Sequence, residues 1–118
     1  EGEPGIPTPV EVYGFQAVAL GATVRLEWST AAELGIVGFH IYRAVGVDFS
    51  SAQAIGYVVA TGFDSRYVYE DRNLLPGQYG YWLVEEVISG QPDRYGPARV
   101  GVGVDALPQR LYLPLVMR

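Results

Sequence analysis

Residues 22–29, ATVRLEWS, alternate without a break. Val24, Leu26 and Trp28 fall on one face, with Thr23, Arg25 and Glu27 on the other. A period of two predicts a half-buried strand. VGFHIYRA (37–44) repeats the pattern, with Val37, Phe39 and Ile41 expected inward and His40 outward. In VEVYGFQAVAL (10–20) the apolar phase moves at Gly14, from Val10 and Val12 to Phe15 and Ala17. That shift predicts a strand with a bulge. IGYVVA (55–60) reads as a short strand, and SRYVYED (65–71) sets Tyr67 and Tyr69 on one face.

LLPGQYGYWLVEEVI (74–88) opens on a Pro-Gly turn and is then apolar or aromatic on both faces. A strand covered on both faces belongs in the middle of a sheet. YGPARVGVGV (95–104) carries Val100, Val102 and Val104 on one face. RLYLPLVMR (110–118) is a last apolar run, which Pro114 confines to an edge strand or a tail. STAAELG (29–35) is expected to make one helical turn, capped by Ser29 or Thr30 with Glu33 in its first turn. About seven short strands separated by turn signals predict an all-β antiparallel sandwich.

Composition narrows the reading. A chain of 118 residues suits one domain, and 49% apolar against 18% charged residues is the balance of a folded one. The division expected is a Pro/Gly-rich linker over 1–9, a sandwich over 10–105, and an apolar tail or extra edge strand over 106–118. Glu1 is not an initiator residue, so a fragment or a mature form is expected. The net charge of −5 comes without a basic patch. Nucleic-acid and anionic-membrane partners need one, so neither is expected. The absence of cysteine rules out disulfides and thiolate metal sites. No run approaches the ~18 apolar residues of a membrane span.

Candidate chemistry is thin. His40 is the only histidine, and a nucleophilic set would need it together with Ser29 or Ser50 and with Glu33. Nothing in the spacing brings these together, so no catalytic residues are assigned and no enzyme is expected. Glu85 and Glu86 are adjacent in a strand and point to opposite faces, so they do not form the facing pair of a glycosidase. One is expected to pair with an arginine and the other to be solvated at the strand end. Glu70 and Asp71 fail the same test, and Asp71 is expected to hold backbone amides of the following turn. Asp48, Asp64, Asp71 and Asp93 lie in or near loops without calcium-loop spacing. No metal and no other cofactor is expected. Trp28 and Trp82 are assigned to the core. Tyr79, Tyr81, Tyr42 and His40 form the candidate ligand or partner surface if they are exposed; with both sheet faces covered they are packing residues.

FQAVALGATVRLEWSTAAELGIVGFHIYRA resembles the opening of a fibronectin type III-like module found in bacterial secreted proteins. Trp28, Thr30, Glu33, Gly38, Phe39, Tyr42 and Arg43 fall on that pattern. YVYED, LPGQYGYWLVEEV and YGPARV resemble its later segments in the same order, so the likeness covers about residues 15–104. One departure stands out. The family carries a corner tyrosine four residues after the turn proline, and that position is Gly80, between Tyr79 and Tyr81. The corner is then either absent or supplied by a neighbour after a one-residue shift.

The resemblance implies an immunoglobulin-like sandwich serving as a non-catalytic accessory module, a spacer or protein-interaction domain at the C-terminus of a larger secreted or surface protein. Its implied location is extracellular or on the cell surface. Its implied partners are other domains of the same parent protein or cell-surface components. The alternative is a carbohydrate-binding module attached to an extracellular hydrolase, with polysaccharide as ligand. An exposed edge strand or the apolar tail gives a route to a weak homodimer.

Overall fold

The computed structural model describes residues 11–103. The expected linker 1–9 and tail 106–118 lie outside them. Seven strands follow in order: β1 (Glu11–Leu20), β2 (Thr23–Ala32), β3 (Ile36–Val45), β4 (Gln53–Val59), β5 (Arg66–Asp71), β6 (Gly77–Val87) and β7 (Arg94–Val102). All pairings are antiparallel, in a three-stranded sheet β1-β2-β5 and a four-stranded sheet β4-β3-β6-β7. The two pack face to face as an all-β sandwich.

The alternation in the sequence explains what lies between the sheets. Val24, Leu26 and Trp28 of β2 and Tyr67 of β5 meet Phe39 and Ile41 of β3, Tyr79, Tyr81 and Leu83 of β6, and Ala98 and Val102 of β7. Trp28 anchors this layer. It stacks on Tyr67 at 5.3 Å between ring centroids and meets Phe39 and Phe15 edge-on at 5.8 and 6.3 Å. Each large side chain so buried contributes about 2–3 kcal/mol. The bulge predicted in β1 is present: Gly14 has φ +69° and the β1–β2 register slips between Tyr13 and Gln16. β6 is central, as its two-sided apolar character predicts.

Two expectations fail, and a third is met only in part. STAAELG is not helical: β2 continues to Ala32 because Thr30 bonds the backbone of Ser65 and so stays in register beside β5. The short 3₁₀ turn is instead Phe49–Ser51, capped by the Asp48 carboxylate, which accepts from the Ser50 amide. Val37 is exposed, because the β3–β6 register slips between Ile36 and Gly38 and turns Ile36 toward the core. Trp82 is buried, at 2% exposure, but on the outer face of the four-stranded sheet. There it lies edge-on beneath Phe49 at 5.4 Å, and Phe49 is in turn capped by the Arg94 guanidinium at 4.1 Å. The 3₁₀ turn folds back over the sheet and makes a second, smaller apolar cluster.

Candidate functional site

The strand directions gather the loops into two ends. One end holds the β2–β3, β4–β5 and β6–β7 loops, together with the start of β1. A carboxylate organises it. Glu33 is 5% exposed and stands at the end of β2, where the polar residue breaks the apolar phase. One of its oxygens accepts from the Thr30 hydroxyl at 2.6 Å and from the Tyr67 phenol. The other accepts from the Gly62 amide at 2.9 Å, in the β4–β5 loop. The β6–β7 loop joins through the Ile88 amide, which donates to the Gly35 carbonyl at 2.9 Å.

The side chains carried by these tied loops point outward and are apolar. Leu34 sits between Glu33 and Gly35, Phe63 follows Gly62, and Ile88 ends the third link. They are 70%, 68% and 77% exposed. Isolated exposed apolar residues are ordinary, but three on adjoining loops tied to one another by hydrogen bonds are the kind of feature that marks a contact site. An all-acceptor carboxylate suits the latch because every partner is a donor.

The residues singled out from sequence divide differently. Tyr79 and Tyr81 do not join His40 and Tyr42 in an exposed patch. They are 8% and 0% exposed, on the inner face of β6, because both sheet faces at that position are covered. The Tyr79 phenol donates to the Leu75 carbonyl at 2.6 Å, so a tyrosine corner exists one residue before the expected position. Tyr81 donates to Asp71 at 2.7 Å, and Arg43 reaches the same carboxylate at 2.9 and 2.7 Å. Asp71 therefore ties the two sheets together rather than capping its own turn. Burial pushes the Tyr81 phenol well up, and the Asp71 carboxylate adds to the shift. Desolvation is the largest single influence on the Arg43 cation and weakens it, but the hydrogen bond and charge of Asp71 together outweigh it and raise the guanidinium pKa.

His40 and Tyr42 lie on the outer face of the four-stranded sheet. His40 bonds Glu86 at 2.9 Å and packs against Tyr57 at 4.7 Å between ring centroids, and Tyr42 packs against Phe49 at 5.3 Å. Burial, then Glu86, raises the Tyr57 phenol. Glu85 has no arginine partner among the described residues. It accepts from the Asp93 amide at 3.1 Å and the Tyr95 phenol at 2.8 Å, closing the β6–β7 hairpin. Burial raises its carboxyl pKa, with Tyr95 and the Asp93 amide pulling the other way.

The sketch of a nucleophilic set is not assembled. His40 is committed to Glu86, the Ser50 hydroxyl to Asp48, and Glu33 to the loop latch. Among the described residues no three His, Asp or Glu side chains converge on a point, and no helix is long and apolar enough to cross a membrane. No protein-family model, no curated protein and no solved structure matches the chain. Sequence reading missed the loop end. Leu34, Phe63 and Ile88 are separated by tens of positions and share no periodicity, so only the strand order brings them together.

Proposed function

We propose that this chain is a non-catalytic interaction module that contacts a protein surface through Leu34, Phe63 and Ile88. The observation that carries the reading is the latched loop end: three exposed apolar tips on a preformed frame. Preorganised loops lose little entropy on binding. The stretch 1–9 has linker composition and leads into β1 at this same end. A neighbouring domain of the parent protein, or a cell-surface component, would meet these loops first. The fibronectin type III-like assignment is supported by the strand order β1-β2-β5 and β4-β3-β6-β7 and by the Tyr79 corner. An extracellular or cell-surface setting follows from that likeness.

Polysaccharide binding is the second reading, and Tyr57 favours it: a partly exposed ring beside His40 and Glu86 on the outer sheet face. The two readings separate in one experiment. The full chain is passed over insoluble polysaccharides and over immobilised cell-envelope protein fractions. The proposal expects retention on protein, abolished by Leu34→Ser/Phe63→Ser/Ile88→Ser and unchanged by Tyr57→Ala. Retention on a glycan that depends on Tyr57 would replace it with the carbohydrate reading, and no retention on either support would reject both.

A further inference from the structure

The sheet edges are guarded unequally. β5 carries Arg66, Glu70 and Asp71, and β7 carries Arg94, Pro97 and Arg99. β1 is interrupted by the Gly14 bulge and lies beside β7 on the same flank of the sandwich. Charges, prolines and bulges keep an edge strand from pairing with another chain. β4, QAIGYVV, is the remaining edge, and it has neither charge nor proline. Its register shift against β3 falls between Ala54 and Gly56, ahead of Tyr57.

Hydrogen bonding decides which part of β4 is open. The Ala60 amide donates to the Val37 carbonyl at 2.9 Å, one rung beyond the Gly38–Val59 pair. Bonded rungs alternate in an antiparallel pair, so Gly56 and Val58 bond β3, while Tyr57 and Val59 turn their N–H and C=O groups outward. The flanking positions are already engaged. The Tyr69 phenol donates to the Ile55 carbonyl at 3.0 Å, and the Tyr67 phenol accepts from the Thr61 amide at 3.1 Å. The open window is therefore Tyr57 to Val59. Their side chains, 38% and 67% exposed, share the outer face of the sheet.

We propose that this window pairs antiparallel with the same window of a second copy of the chain, across a two-fold axis at Val58. Tyr57 of each copy then lies opposite Val59 of the other, and each such rung exchanges a pair of backbone bonds. The next rung, Ile55 with Thr61, is closed by the two phenols, which limits the ladder to this window. An aromatic residue directly opposite a β-branched one is a favourable cross-strand pair. That self-complementarity selects a second copy over an unrelated strand, and the uncharged strip lets two chains of net charge −5 approach. So short a pairing falls well below the ~1,200 Å² of a stable interface, and the dimer is weak, with a Kd on the order of 0.1–1 mM.

Sedimentation of the full chain over a concentration series, with amide NMR on the same samples, tests this. The expected result is a weight-average mass at least about 1.5-fold the monomer's at about 1 mM, with amide shifts concentrated at Tyr57, Val58 and Val59. The Val59 amide makes no bond to β3, so Val59→Pro should keep the amide spectrum of the fold and abolish the rise in mass. Val59→Glu should do the same by placing a carboxylate at an already exposed position of the edge. Leu34→Ser/Phe63→Ser/Ile88→Ser should associate like the parent. A mass that stays monomeric to about 1 mM, or a rise that survives both Val59 variants, overturns the proposal. So does a rise that is lost in the loop-tip variant, which would assign the contact to the loop end.

Discussion

The Tyr79 phenol donates a 2.6 Å hydrogen bond to the Leu75 carbonyl, four residues earlier in the chain. This bond closes the β5–β6 connection on itself and fixes where β6 enters the core. Tyr79→Phe keeps the ring and removes only the hydroxyl. It should lower unfolding stability by about 1 kcal/mol, the net worth of such a bond. Urea denaturation checks this. A midpoint equal to the parent's would show that the corner contributes nothing.

Trp28 combines near-complete burial with an indole N–H that has no acceptor among the described residues. The two properties oppose each other. Trp28→Ala should cost ~3–5 kcal/mol through lost contacts and the cavity left behind. Trp28→Phe should cost much less, because it keeps an aromatic ring between Tyr67 and Phe39 and removes the orphaned donor. Calorimetry on the two variants gives the order. Equal losses would mean that the indole N–H is satisfied in solution.

Glu85 gives a pH dependence with a defined sign. Burial raises its pKa in the fold above the ordinary glutamate range. The folded state therefore holds this proton more tightly than the unfolded state. The contribution of Glu85 to stability is complete below the unfolded pKa and is lost as pH rises through the folded one. Glu85→Gln cannot ionise. The melting temperature of Glu85→Gln relative to the parent should therefore rise between about pH 4 and about pH 7. A constant or falling difference would contradict the assignment. The variant cancels the opposing surface carboxylates Glu27 and Glu70, whose pKa values are lowered chiefly by hydrogen bonds from Arg66 and Arg72.

How much of this was legible depends on what each residue answers to. Val24, Leu26 and Trp28, and likewise Phe39 and Ile41, follow strict alternation, so their inward face could be read directly. Gly14 was legible for the same reason, because a bulge shifts the phase on either side of it. Val37 was not, and for Trp82 the burial was legible but not the layer that covers it. Val37 is turned out by a register slip against β6, and Trp82 is buried by a turn that folds over from Phe49. Both effects come from segments distant in sequence. The polar residues were hardest to read. Glu33, Asp71 and Glu85 were visible as carboxylates, but each finds its partners on other strands, at Gly62 and Tyr67, at Arg43 and Tyr81, and at Tyr95. The loop end exists only once the seven strands are ordered.

The central claim is that Glu33 fixes the three-loop end as a preformed surface, and native-state hydrogen exchange tests it most directly. Both Glu33 oxygens accept only from donors, so Glu33→Gln must turn an NH₂ group against either the Thr30 and Tyr67 hydroxyls or the Gly62 amide. The expected result is a protected Gly62 amide in the parent, opened by at least about tenfold in Glu33→Gln, equivalent to a loss of about 1.4 kcal/mol. Amides of the β3–β6 pairing should keep their protection. A Gly62 amide that exchanges freely in the parent, or one that Glu33→Gln leaves unchanged, would contradict the claim.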